Sequence, residues 1–163
     1  MKTLTARQLI VIATLVSVVS VLGAWTFESL GYTPCHLCYY QRYPHYVAVG
    51  IGALALALRW HWLAWPGALA AATTSAVGFY HSGVERKWWP GPVSCTGGGD
   101  ISSLSPAELL DRLNATAFVP CDEIPWRLSD AIPWRALDLT MANFNAVGAL
   151  AIALIWIAAA RRA

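Results

Sequence analysis

LIVIATLVSVVSVLGAWTF, residues 9–27, carries no charged side chain and no proline. A helix needs about 20 such residues to cross a hydrocarbon core of roughly 30 Å, and a lone segment in lipid can satisfy its own backbone only as a helix. The stretch therefore reads as a membrane span. Three more follow it: residues 43–58 (YPHYVAVGIGALALAL), 62–80 (WLAWPGALAAATTSAVGFY) and 142–160 (ANFNAVGALAIALIWIAAA). The second is short and needs a residue or two of interface at each end. The expected fold is an all-α membrane protein, a four-helix transmembrane bundle. Residues 1–163 would form one integral membrane domain, with external loops at 28–42 and 81–141.

Composition agrees. The chain is 57% hydrophobic and only 12% charged, where a soluble domain has about a quarter of its residues charged. A dispersed net charge of +2 argues against nucleic acid and leaves the lipid bilayer as the expected surroundings.

Charge asymmetry orients the spans. Four crossings put both termini on one side with the tight Arg59-Trp60-His61 turn, and that side carries Lys2, Arg7, Arg59, Arg161 and Arg162 with no carboxylate. The opposite side holds all nine acids. Lys and Arg near short loops mark the cytoplasm, so the termini are expected inside and both larger loops outside. A cleaved leader ending near Ala24 is the rival reading of the first span. Its apolar run is longer than the 7 to 15 residues usual in a signal peptide, but charge alone does not exclude it.

All four cysteines then lie on the oxidising face: Cys35 and Cys38 in the first loop, Cys95 and Cys121 in the second. The first two belong to PCHLCYYQR, residues 34–42. A disulfide between residues three apart closes so small a loop that it removes little unfolded-state entropy, which favours a redox pair over a structural staple. Zinc would want two close ligand pairs, whereas Cys95 and Cys121 are 26 positions apart. A thioredoxin motif would follow a strand, whereas here spans flank the pair. The favoured reading is a redox pair at the membrane face with no metal. Helix amides at the entry of the second span would favour a thiolate there. Pro44 suits the first turn of a helix that kinks or starts afresh near Tyr43. In GPVSCTGGGDISS, residues 91–103, three glycines close behind Cys95 suit a pliable loop that meets another protein.

GYTPCHLCYYQRYP, then YHSGVERKWWPGPVSC, then VPCDEIPWRL resemble the DsbB family of disulfide-bond formation proteins, four-span quinone reductases of the bacterial inner membrane. The likeness runs from the first span to the last. It implies that Cys95 and Cys121 form a disulfide, that Cys95 takes the mixed disulfide with a DsbA-type periplasmic thiol oxidase, and that electrons pass to Cys35 and Cys38. From there they would reach ubiquinone or menaquinone, with Cys38 facing the ring. Such a system keeps a periplasm oxidising. The cysteine loops would be periplasmic and both termini cytoplasmic.

The resemblance also gives Arg42 a part in quinone binding, where it could stabilise negative charge on a reduced ring or thiolate. Otherwise it would be an interfacial anchor. His81 and Glu85, one turn apart, could handle quinol protons or simply close a helix end. His36 could tune the pair, and His45 reads as interfacial packing. Trp88 and Trp89 suit an aromatic belt. Thr73, Thr74, Asn143 and Asn145 suit contacts between helices. Ser105-Pro106-Ala107-Glu108 is a capping box for a short helix carrying Leu109, Leu110 and Leu113. IPWRLSDA (124–131) is nearly repeated as IPWRALDL (132–139), a departure from the family pattern whose two tryptophans could anchor an interfacial turn. Two alternatives stay open: a quinone-linked relative dedicated to one substrate, and a non-enzymatic membrane protein held by structural disulfides.

Overall fold

The computed structural model describes residues 4–92, 105–107, 119–132 and 138–163. Among them the chain is mostly helical. No strand forms, and one isolated antiparallel bridge joins Arg127 to Thr140. The helices are α1 (Ala6–Ser29), α2 (His36–Leu58), α3 (Ala64–Glu85), a single turn α4 (Leu128–Ala131) and α5 (Met141–Ala160). A 3-10 turn at His61–Leu63 precedes α3. The four long helices pack side by side, α1 against α2 and α5, and α3 against α2 and α5.

Two of these helices, α1 and α5, are long and apolar enough to cross a membrane. Both begin with a capping box, Thr5 with Gln8 and Thr140 with Asn143, which satisfies amides that a helix start otherwise leaves bare. In α2 and α3 the apolar run is diluted at one end by Gln41, Arg42, His45, His81 and Glu85. That end holds the cysteines.

The second helix departs from expectation. It does not restart near Tyr43 but runs unbroken from His36, with Pro44 in its interior and Cys35 as its N-cap. Proline removes one hydrogen bond from the ladder, which helices packed among neighbours tolerate. Its other end closes at Arg59, held at φ 58, and turns back through Trp60, as the tight turn required.

Small residues set the packing toward the termini. Ala13, Ala55, Ala64, Ala68, Ala71, Ala153 and Ala159 are buried around Ile10, Ile152 and Trp156. They let the backbones approach closely. At Gly67 a Cβ would lie 2.8 Å from the Trp156 ring, and at Gly52 it would collide with Thr14, so neither position admits a side chain without repacking. A separate buried cluster at the other end contains Cys35, Leu37, Val84 and Cys121.

Candidate redox site

The site begins with a helix start. Cys35 caps α2, and its sulfur accepts the N–H of Cys38 at 3.3 Å. Spacing of three brings the Cys38 sulfur back over the cap, 3.0 Å from that of Cys35, and both are free thiols. The positive end of a helix and a neighbouring thiol donor both stabilise a sulfur anion.

His81, near the end of α3, faces this pair across the helix interface. Its Nε2 lies 3.6 Å from the Cys35 sulfur and 3.2 Å from the carbonyl oxygen of Cys121. Gln41 donates to its Nδ1 at 2.8 Å. One turn on, the Glu85 carboxylate accepts from the Thr140 hydroxyl at 2.6 Å, tying α3 to the start of α5. Cys121 is fully buried and disulfide-bonded. The Cys35 sulfur, a His81 ring nitrogen and the Cys121 sulfur lie within 4.8 Å of one another. Such a cluster does not establish a metal, since a disulfide sulfur is not the thiolate that zinc requires.

These contacts separate the two thiols, both of which lie outside residues 43–58. The Cys35 thiol is pulled down to about 4, chiefly by the hydrogen bond from Cys38, against the cost of burial and with the hydrogen bond of His81 adding to it. Cys38 is pushed up because it donates to Cys35, with burial and the charge of Cys35 acting the same way and Arg42 opposing. Burial raises the Glu85 carboxyl, opposed by Thr140, His81 and Arg86. At His81 burial works against the charged ring, while the hydrogen bond and charge of Cys35, then Glu85, work for it. One thiolate beside one retained proton is an arrangement for thiol–disulfide exchange.

Arg42, one turn beyond Cys38, pairs with Glu28 of α1 at 2.6 Å, donates to the Ala24 carbonyl and stacks over the Tyr39 ring. It lies on the wall of a cavity of about 420 Å³ between α1, α2 and residues 119–126, shared with Cys35, Cys38, His81 and Glu85. The rest of that wall is largely apolar, including Val21, Phe27, Trp126 and Phe144. A mostly apolar cleft with a few converging polar groups is the usual form of a small-molecule site.

Of the seven residues picked out by sequence, six meet at this cavity or beside it: Cys35, Cys38, Arg42, His81, Glu85 and Cys121. Cys95 lies outside the described residues, as do Trp134 and most of the 106–113 helix. His45 is buried between helices, with Nε2 3.0 Å from Asn145 Oδ1, because α2 begins early enough to carry it inside the bundle. Thr74, Asn143 and Asn145 do join helices, whereas among the described residues the Thr73 hydroxyl bonds to the Leu69 carbonyl of its own helix. Trp89 stacks on Tyr80 and Trp88 meets Trp89 edge-on, outside the cavity wall. Sequence reading missed Gln41, Glu28 and Thr140. A polar glutamine beside an apolar span is the one signal that could have drawn attention to Gln41.

The family model for disulfide bond formation protein DsbB matches residues 6–159. The chain belongs to the DsbB family. It is therefore a membrane oxidoreductase of disulfide bond formation, of a family resident in the bacterial inner membrane. No curated protein and no solved structure matches it significantly. DsbB membership accounts for a cysteine pair at a helix start that shares a buried cluster with a second-loop cysteine.

Proposed function

We propose that the chain is a four-span protein-dithiol:quinone oxidoreductase that reoxidises a periplasmic thiol oxidase of the DsbA type. The observation that carries this reading is the reach between the two redox centres: the Cys35 and Cys121 sulfurs lie within 4.8 Å, and Cys35 shares the wall of a largely apolar cavity with Cys38 and Arg42. All of residues 1–163 form one membrane domain, with both termini cytoplasmic and both cysteine loops periplasmic. The family's general link to DsbA and to quinone supports this.

In this reading Cys95 and Cys121 form the partner-facing disulfide, and Cys95 takes the mixed disulfide. The partner's two thiols reduce that bond and become its disulfide. Reduced Cys121, giving up its proton, then attacks the sulfur of Cys35 in a Cys35–Cys38 disulfide, and the bonding pair leaves on Cys38, which takes up a proton. Cys95 next attacks Cys121, which restores their bond and releases Cys35 as a thiolate. The first pair now holds two electrons. Low thiol basicity makes Cys35 the better leaving sulfur, which favours this last step.

The cavity wall suits a flat apolar ring with polar oxygens, either ubiquinone or menaquinone. When bound, the quinone supplies an acceptor for two electrons and two protons. Cys38, which keeps its proton, is the thiol assigned to the ring side. Arg42 holds positive charge at the wall, Glu85 is placed to handle protons there, and His81 stands beside the Cys35 sulfur. The reading is tested by optical assay of quinone reduction in detergent, with a reduced thioredoxin-fold donor. Turnover that is lost in both Cys38→Ser and Cys95→Ser is expected. No reduction of either quinone by the intact protein would sink it.

A further inference from the structure

Between the thiols and the bundle interior, the hydrogen bonds of five buried or half-buried side chains run in one direction. Gln41 Nε2 reaches two groups, the Leu37 carbonyl oxygen at 3.1 Å and His81 Nδ1 at 2.8 Å. A carbonyl oxygen can only accept, so the amide nitrogen of Gln41 is fixed on that side. Its Oε1 accepts from Asn145 Nδ2 at 2.9 Å. Asn145 is fixed in turn, because the same Nδ2 faces the Thr74 carbonyl at 3.3 Å and the Thr74 hydroxyl at 3.2 Å. That hydroxyl has given its proton to the Gln41 carbonyl at 2.6 Å, so it can only accept from Asn145. Asn145 Oδ1 then accepts from His45 Nε2.

His81 ends the chain. Its Nδ1 meets a committed donor, so that nitrogen is the bare acceptor of the ring. Its Nε2 meets the Cys121 carbonyl and the Cys35 sulfur, so that nitrogen carries the proton. We propose that Gln41 is a positioning residue that keeps His81 in its neutral, Nε2-protonated form with Nδ1 closed to a second proton. His81 then serves Cys35 as a hydrogen-bond donor and not as an acid. This rests on the reading of Cys35 as the working thiol.

Charge pulls the other way. Cys35 and Glu85 carry the negative charges nearest the ring, and Cys38, Arg42 and Glu123 line the same cavity. From α5 and its cap the nearby groups, Asn145 and Thr140, are uncharged, and Glu28 of α1 is paired with Arg42. A second proton on Nδ1 would face the Gln41 N–H head-on. Relief would need Gln41 and Asn145 to turn together, setting Gln41 Oε1 against the Leu37 oxygen and Asn145 Oδ1 against the Thr74 oxygen. Polar groups buried without partners are costly, which is why the neutral form holds.

The test is nitrogen NMR of histidine-labelled, reduced, full-length protein in detergent, with the His81 signals assigned through His81→Asn. The intact protein should show the neutral Nε2–H pattern at His81 from about pH 5 to about pH 8, the window in which an ordinary histidine titrates. In Gln41→Leu the second proton should appear within that window, a shift of the protonation equilibrium on the order of tenfold for one lost charge-opposing contact. An imidazolium pattern at pH 6 in the intact protein would overturn the proposal without any variant having to fold. So would a Gln41→Leu spectrum that matches it. The spectrum is read with neither quinone nor partner present, so a failure of quinone reduction would leave this inference standing, and an imidazolium in an active quinone reductase would remove this inference alone.

Discussion

The two ends of this bundle are held together by opposite means. Toward the termini, Trp156 and a ring of alanines fill the space between α1, α3 and α5 with almost no polar contact. Toward the cysteines, Gln41, Thr74, His81, Asn143, Asn145 and Glu85 join the helices through side-chain hydrogen bonds. Close packing gives the first end stability that hardly depends on direction. Directed bonds give the second end a fixed arrangement of donors around sulfur, at the risk that one lost partner strands several others.

The sharpest break of this contrast is chemical. Cys35→Ser should take quinone reduction to background while leaving the protein folded, because it removes the bridging sulfur between the two centres. Acid should act next in size. Cys35 is depressed to about 4, so its thiolate is present above that pH and is lost as pH falls through it. The ultraviolet thiolate absorbance of a reduced protein carrying Cys95→Ser and Cys121→Ser should therefore be nearly constant from about pH 6 to about pH 8, where an ordinary thiol is still largely protonated. A thiolate signal that rises through that range would contradict the hydrogen-bonded cap.

At the opposite end the measure is stability. Trp156→Ala should cost about 3–5 kcal/mol in reversible denaturation, the range for emptying a large aromatic site. Trp156→Phe should cost far less, because Trp156 Nε1 has no acceptor among the described residues and its removal strands nothing. A Phe variant as damaged as the Ala variant would show that this end, too, depends on a directed bond. The smallest effect should come from Glu28→Gln. The Arg42 side chain is 11% exposed but that of Glu28 is 40% exposed, so losing the pair should change stability by about 1 kcal/mol or less. A larger loss would mean that the pair is shielded from solvent.

The packed end was the more legible in sequence. Residues 9–27 and 142–160 lie within α1 and α5 almost to the residue, since an apolar run long enough to cross lipid has few alternatives. The cysteine pair and Arg42 were also legible, because their spacing is local. What sequence could not give was the web around them. Gln41 meets His81 across 40 positions and Asn145 across 104, and no periodicity encodes such pairs. Pro44 misled for a related reason: it lowers the local preference for helix, but packing against α1 and α3 carries α2 through it.

One feature of the long second loop reaches beyond its chemistry. Arg86 donates to the Asp138 carbonyl and to Asn143 Oδ1, and Thr140 binds Glu85, so the segment leaves and returns at nearly the same point. Polymer statistics then govern what its length costs. Closing a flexible loop grows only logarithmically with its size, and each doubling costs about 0.6 kcal/mol. The near-repeat at 124–139 falls between those anchors in sequence. Against a fixed stem, lengthening the loop by one such unit would cost well under the ~0.6 kcal/mol of a doubling, so a chain anchored this way could change its reach without disturbing the helices.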